Sequence, residues 1–451
     1  MVILLNRIFP LPYWGEGEEK SKVERAETEL IIQRRTTSFL KSNPEVNGMP
    51  KLEFRDLLFE DMDRHVKVNF LRLFYFYLDK DDLKKIADFK VLKKAIDFTG
   101  ISEQSAGRKF NKLLLKGFND LKSRLTQKQA IYVHRNSGMP LIGSIDFGII
   151  DRNTNIIEVR PITGCNLGCI YCSVDQARRQ VDFVVEMEYI IEEIKRLVDF
   201  KDDNDIEIHI GSQGEPLLYE NLAGLVRGLS RIKQVKRISI DTNATLLSKK
   251  LVDELVDAGM TQFNVSINSL DKKLAQKIAG AAYNLDKVIE ICRYIAKKAD
   301  LVIAPVWLQG INDDEMPKFI RLVKEMQNKH RIILGIQNFL EYRYGKKPVK
   351  QMSWDLFRKK LESLEKKHNT RLVLDFKKDF KVHETRHLPK LFKKGQILKA
   401  RVVCPGHLKE EMLAVAKDRI VSVMNCSARP GQDIKLRIIR TKHNIYVAKQ
   451  V

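Results

Sequence analysis

From Asn155 to about residue 345, short β-branched runs alternate with amphipathic helical stretches, and this alternation constrains the fold more than any other feature of the chain. Six runs read as strands: 155–160 (NIIEVR), 206–210 (IEIHI), 237–241 (RISID), 262–267 (QFNVSI), 301–306 (LVIAPV) and 331–336 (RIILGI). Helical segments follow them, such as VEMEYIIEEIKRLVDF after the first and LLSKKLVDELVDAG after the third. A strand–helix–strand crossover is right-handed, so six successive units curl into a partial barrel. Chemistry in such a barrel collects just past the carboxyl ends of the strands.

Three of the six cysteines crowd into one such place. The first strand runs into ITGCNLGCIYCSVD, which sets Cys165, Cys169 and Cys172 at a C-x3-C-x2-C spacing. So few cysteines exclude a disulfide scaffold, and their crowding points to metal ligation in a reducing compartment. A cubane iron–sulfur cluster normally takes four thiolates; three leave one iron open. A closed zinc site would need a fourth protein ligand, and no further Cys or His is near in sequence.

The flanks differ from the α/β centre. Residues 1–130 read as a basic α-helical domain, with helical spacing from about Val68 to Leu125 and a Gly-centred turn, TGISEQSAGRKF, of the helix-turn-helix kind. Residues 131–154 read as a β-hairpin linker around Asn136, Ser137 and Gly138, leading into the barrel at 155–370. From 390 to 451, short alternating strands and Gly-containing turns describe a small β-barrel.

Net charge is +22, and residues 381–451 hold 16 Lys and Arg against five Asp and Glu, half of the excess. Such a tail favours a polyanionic partner, nucleic acid first. Apolar stretches such as Val68 to Leu78 are too short to span a bilayer, so no membrane partner is expected. The opening segment lacks the basic leader and cleavage site of a secretory signal, which makes a cytoplasmic location the expectation.

CNLGCIYC, with an aromatic residue before its last cysteine, resembles the motif of the radical S-adenosylmethionine (SAM) superfamily, over roughly residues 155 to 345. The resemblance implies that Cys165, Cys169 and Cys172 hold a [4Fe–4S] cluster whose open iron binds SAM, that electron transfer releases a 5′-deoxyadenosyl radical, and that Tyr171 lies against the adenine. IGSQGEPLL resembles the Gly-Gly-Glu motif, placing Gly214 and Glu215 on the SAM ammonium, although Gln213 stands where a small residue is frequent. Asp241-Thr242-Asn243 resembles the ribose contact, with Asn243 the ligand. VSINSLD implies ribose contacts from Ser266 and Asn268, Asn268 replacing the more frequent Asp. ILGIQ offers the backbone of Gly335 and Ile336 to the adenine.

The tail resembles a TRAM module, an oligonucleotide-binding-like barrel, and the whole chain resembles an archaeal-type radical SAM protein. These resemblances imply an enzyme that modifies RNA, tRNA first, gripping it with the basic tail and drawing electrons from a donor such as ferredoxin or flavodoxin. The alternative is a radical SAM enzyme acting on a protein or peptide. Methylthiotransferases carry a second cluster in a cysteine-bearing amino-terminal domain, whereas residues 1–164 here contain no cysteine. Cys292, Cys404 and Cys426 read as buried apolar side chains, and the tail histidines as surface or RNA-contacting groups.

Overall fold

The computed structural model describes residues 51–451, apart from positions 55, 212, 327 and 328. They fall into two compact units that meet at residues 131/132. The first fifty residues of the expected 1–130 domain lie outside the described residues.

The remainder of that domain corrects the helical expectation. Strands Leu57–Asp61, His65–Phe70 and Phe74–Asp79 form an antiparallel meander. The reason is a period of two: Phe74, Phe76 and Leu78 are buried while Tyr77 between them is exposed, and aromatic residues suit a half-buried pleated surface. In the lysine-rich stretch that follows, only Lys80–Lys84 is helical before Phe89–Val91 and Ala95–Phe98 pair as strands. One long helix, Glu103–Asn119, is real, capped by Ser102, whose hydroxyl accepts from the Ser105 amide at 3.4 Å. A strand, not a helix, precedes this turn, so no helix-turn-helix forms.

The expected hairpin is also corrected. Arg135–Ser137 makes one 3-10 turn, closed by Gly138 at φ +67°. Strand β1 (Gly148–Asp151) pairs antiparallel with the first barrel strand instead.

The barrel follows the expected alternation. Its strands are β2 (Ile156–Arg160), β3 (Ile206–Ile210), β4 (Val235–Thr242), β5 (Gln262–Val265), β6 (Asp300–Ile303) and β7 (Ile332–Leu334). They pair parallel in sequence order, with β1 at one edge. Helices α1 (Met187–Lys201), α2 (Leu222–Ser230), α3 (Lys249–Ala258) and α4 (Lys272–Ala279) connect successive strands. Helix α1 buries Ile190, Ile194, Leu197, Val198 and Lys201, a single stripe at helical spacing. None of the described helices is long and apolar enough to cross a membrane.

Strands β8 (Ile397–Pro405), β9 (Met412–Ala416), β10 (Arg419–Met424), β11 (Asp433–Arg440) and β12 (Val447–Gln450) close a barrel in the order β8-β9-β10-β12-β11. Its core includes Val402, Val421, Val423, Leu436 and Ile438. Backbone bonds seat it in the same unit as the α/β barrel: Ile420 N donates to Ile142 O at 2.9 Å and Gln180 N to His407 O at 2.9 Å. At the opposite end of β2, the Asn155 amide groups bond to the backbone of Lys381 and His383.

Candidate active site

The loops after β2 and β3 are joined by a two-residue parallel ladder, Thr163 to Gln213 and Gly164 to Gly214. The approach is so close that a Cβ on Gly214 would lie 1.7 Å from the Gly164 carbonyl oxygen, which only glycine avoids. Gln213 is accommodated because its backbone carbonyl is what the fold uses, accepting from Gln176 Nε2 at 2.8 Å and from Arg179.

The ladder aims Glu215 inward at the end of β4. Its carboxylate is 1% exposed and accepts from Thr242 Oγ1 at 2.7 Å, Asn243 N at 2.8 Å and Leu217 N at 3.1 Å. Burial outweighs these donors and pushes the carboxyl up to about 7. A buried carboxylate that remains hard to ionise is a site prepared for a cation.

The cysteine loop is pinned from outside. Gly168 N donates to Ala279 O and Ile170 N to Ile278 O, both at 3.0 Å, at the end of α4. A Cβ on Gly280, which adopts φ +62°, would meet the Gly168 carbonyl at 2.3 Å. On another side Lys346 N donates to Cys172 O at 2.9 Å and its Nζ to Gly168 O at 2.9 Å. Ile170 and Tyr171 pack on an apolar cluster of Ile278, Val306, Leu308 and Phe339.

The expected SAM contacts gather around this loop in two groups. Asn268 Nδ2 donates to the Tyr171 hydroxyl at 2.8 Å, and its Oδ1 accepts from Val306 N at 2.8 Å. Asn243 Nδ2 donates to Asn166 Oδ1 at 3.0 Å, while its own Oδ1 accepts from Thr245 Oγ1 at 2.6 Å. Ser266 N donates to Thr242 O at 2.9 Å, which ties the end of β5 to that of β4. Ile336 is buried just past β7, between Gly335 N, which donates to Ile303 O, and Gln337 N, which donates to Pro305 O.

Sequence reasoning gave no role to four contributors. Asn166 and Thr242 stand inside motifs already quoted and Thr245 just past one, but their roles come from bonds across loops, Asn166 Nδ2 to Thr245 Oγ1 at 2.8 Å and Thr242 Oγ1 to Glu215 at 2.7 Å, which no spacing announces. The fourth, Tyr283, has its hydroxyl buried with no hydrogen-bond partner. Burial raises that phenol well above its usual range, with further contributions from Cys292, Cys169 and Glu215.

Below the loops the barrel lumen is polar. Every second residue of β2 to β5 turns its side chain to one face, and IEIHI thus divides into three isoleucines and a Glu–His pair. His209 is fully buried, with Nδ1 2.9 Å from Ser239 Oγ and Nε2 3.0 Å from Asp241 Oδ2. Burial alone would lower the His209 imidazole, but Asp241 outweighs it and raises it; His209 in turn holds the Asp241 carboxyl well below its usual range. Asn264 Nδ2 fixes the other Asp241 oxygen at 2.9 Å, and 38% of the Asp241 side chain stays open. Glu158 bridges Arg152 and Arg160, at 3.1 and 2.5 Å.

Whether these residues suit a cluster and SAM can be judged from the donors. Three unpaired thiols share one loop, and burial pushes Cys165 up to about 12 and Cys169 up to about 11. Only a bound metal would ionise thiols held this way. Three thiolates on one loop, with no fourth Cys or His near them in sequence, suit a cubane, whose thiolates sit on separate irons. The orphaned Tyr283 hydroxyl and the hard-to-ionise Glu215 are a donor and an acceptor without a ligand. The residues present fit the pair.

Of the remaining groups, Cys292, Cys404 and Cys426 are buried, in keeping with the apolar reading. His407 corrects the surface reading of the tail histidines: it is buried, its Nδ1 3.8 Å from Asp146 Oδ1.

The radical SAM superfamily model matches residues 159–323, from the end of β2 past β6. An uncharacterized protein of Methanocaldococcus jannaschii is 40% identical over 363 residues, covering 74% of this chain and 83% of that protein. The GTP 3′,8-cyclase of Thermodesulfovibrio yellowstonii is 32% identical over 226 residues, 49% of this chain; the match spans 65% of the cyclase's length. Among solved structures, Streptococcus suis SuiB bound to its precursor peptide SuiA is 16% identical with a TM-score of 0.39, covering 71% of each chain. The chain belongs to the radical SAM superfamily, and its cofactors are a [4Fe–4S] cluster and S-adenosylmethionine.

Proposed function

We propose that this radical SAM enzyme modifies RNA, with tRNA as the first candidate, and that its carboxyl-terminal barrel binds the RNA backbone. The observation that carries the reading is the outer face of that barrel. Lys399 and Lys435 stand directly opposite each other on β8 and β11, and Arg437 stands opposite Lys449 on β12; all four are exposed. Like charges paired across strands cost stability, and a phosphate backbone lying over them removes that cost. Ile397, 52% exposed and paired with Arg437, adds an apolar surface on which a base can rest. A nucleotide substrate is also in keeping with the GTP 3′,8-cyclase relative, whose name gives GTP as its substrate.

In this reading Cys165, Cys169 and Cys172 hold the cluster. Gly214 and Glu215 receive the SAM ammonium, Asn243, Ser266 and Asn268 the ribose, and Tyr171 and the backbone of Ile336 the adenine. When bound and reduced, the cluster supplies the electron that splits SAM into methionine and a 5′-deoxyadenosyl radical. The chain's own part is to orient and to exclude water. Glu215 holds the amino group, the apolar bed under Tyr171 keeps solvent from the adenine side, and Asp241, fixed by His209 and Asn264, offers its remaining acceptor positions to the substrate.

The test is anaerobic reconstitution with SAM and reductant, followed by quantitation of 5′-deoxyadenosine with and without bulk tRNA from a strain lacking this protein. Stimulation by tRNA supports the reading and supplies material in which to find the new nucleoside. Cleavage indifferent to RNA would redirect the search to a protein or peptide substrate. A K399E/K435E double variant should bind tRNA at least tenfold more weakly, with the salt slope reduced by about two.

A further inference from the structure

We propose that Arg179 is a positioning residue for SAM cleavage: it grips both strands of the short ladder that holds Glu215 against the cysteine loop. This rests on the assignment of Glu215 to the SAM ammonium. The ladder consists of two pairs, Thr163 with Gln213 and Gly164 with Gly214, and just beyond them Glu215 N donates to Gly164 O at 2.8 Å. Cys165 follows one strand and Glu215 the other. Any parting of the ladder therefore moves the acceptor for the amino group away from the cluster loop.

The Arg179 side chain is 0% exposed. Its Nη2 donates to the Gln213 carbonyl. Its Nη1 donates to Asp182 Oδ1 at 3.2 Å, and the same oxygen accepts from Thr163 Oγ1 at 3.4 Å. A planar fork of donors serves two acceptors in different directions, which an ammonium on a flexible stem cannot fix together. Both ends of this bridge are held in turn: Gln176 Nε2 donates to the Gln213 carbonyl at 2.8 Å, and Phe183 N donates to Thr163 Oγ1 at 2.7 Å.

Stability does not account for a charged pair in this place. Taking Arg179 and Asp182 out of water costs as much as their attraction returns, and apolar residues of similar volume serve a core as well or better. What the pair adds is geometry. Its base is also fixed, because Gln180, the next residue, is held by three successive carbonyls between β8 and β9. Gln180 N donates to His407 O at 2.9 Å, and its Nε2 donates to Gly406 O at 3.5 Å and to Leu408 O. The guanidinium thus stands on the tail barrel and braces the ladder from behind, the support that a group needs when it must meet its ligand in one orientation.

The test is the double variant R179M/D182L, which removes both charges together and leaves no unpaired ion in the core, with R179K beside it. In the reconstituted protein, circular dichroism and iron and sulfide content should match those of the unaltered chain. SAM affinity, measured by equilibrium dialysis, should fall at least tenfold. At saturating SAM the electron paramagnetic resonance spectrum of the reduced cluster should still differ from that of the unaltered protein, a readout that a merely structural residue would not move. R179K, which reaches one acceptor at a time, should fall between the two. Unchanged affinity and spectrum in a folded, loaded double variant would overturn the proposal. If the double variant does not fold or load, R179K decides: full cluster content with weakened SAM binding supports the proposal, and unaltered SAM binding overturns it. E215Q separates this outcome from the assignment beneath it. If E215Q binds SAM as the unaltered protein does, the Glu215 assignment fails and the proposal with it; if E215Q alone is weakened, Glu215 stands and Arg179 is structural.

Discussion

Two buried glutamates, Glu215 at the mouth of the α/β barrel and Glu411 where the tail barrel meets it, share one physical problem and resolve it differently. Burial drives both carboxyls upward. Around Glu411 the neighbours are a carboxylate and a histidine: Leu408 N donates to Oε2 at 2.9 Å, the nearby Asp146 carboxylate raises it further, and His407 Nδ1, 3.8 Å from Asp146, is buried with no hydrogen-bond partner among the described residues. Around Glu215 three donors are in place as well, yet the Tyr283 phenol, whose hydroxyl has no hydrogen-bond partner, and the Cys165 thiol are near enough to feel its charge. An orphaned polar atom lies beside each glutamate, so burial, a shifted carboxyl and an unpaired neighbour do not by themselves identify a site; the cysteine thiols near Glu215 are what set it apart.

The largest effect should come from breaking the backbone approach that aims Glu215. Gly214→Ala places a methyl group inside the Gly164 carbonyl, and because both partners are main chain neither can swing aside. Ladder and cysteine loop must then part, at about 3 kcal/mol or more. Iron and sulfide loading and SAM binding should both be lost, measured by metal analysis and equilibrium dialysis. Gly406, beside Glu411, is the control: a Cβ there meets the Glu411 side chain at 2.5 Å, which can move, so Gly406→Ala should keep its cluster.

Next in size is the charge itself. Glu215→Gln keeps the shape and removes the carboxylate, so SAM affinity should fall by about 10- to 100-fold, the range for one charge-assisted hydrogen bond. Glu411→Gln should leave SAM affinity unchanged and alter only thermal stability. Equal losses of affinity in the two variants would end the distinction drawn between them.

The same contrast separates what was legible in the sequence from what was not. The six barrel strands were, because each is an apolar or alternating run followed by a helical stripe, and both periods survive burial. So was the position of the cysteine loop and Gly214-Glu215 just past the first two of those strands, because both motifs directly follow an apolar run in the sequence. The front unit was misread because LRLFYFYL and KVLKKAIDF carry aromatic and lysine residues whose spacing matches a helix nearly as well as a strand; pairing partners decided it. Tyr283 and Asn166 were illegible for another reason: a lone phenol or amide gains meaning only from what the fold leaves unpaired beside it.

A smaller effect distinguishes the glutamates by pH. Glu215 rises from 4.5 to about 7 on folding, so its contribution to stability is fully present below about pH 4.5 and is lost as pH rises through 7, up to about 3 kcal/mol. If Glu215 receives the SAM ammonium, as proposed above, the cation favours the carboxylate and binding below pH 7 must release a proton. SAM affinity should fall by up to about tenfold per unit between pH 7 and pH 6. Calorimetry at pH 6.5 in buffers of different ionisation heat should register that proton, and Glu215→Gln should abolish it while Glu411→Gln retains it.

The smallest expected change tests whether the open donor beside Glu215 is used at all. The Tyr283 hydroxyl is buried and unbonded, which costs the fold stability until something accepts from it. If SAM supplies the acceptor, Tyr283→Phe should weaken SAM binding about fivefold, for one neutral hydrogen bond of roughly 1 kcal/mol. The same substitution should slightly stabilise the SAM-free protein, because an unsatisfied polar group has been removed from a buried place. The two signs together are the diagnostic. A hydroxyl with a purely structural partner would lower stability when removed and leave SAM binding alone, and that result would place Tyr283 among the structural contacts of the fold.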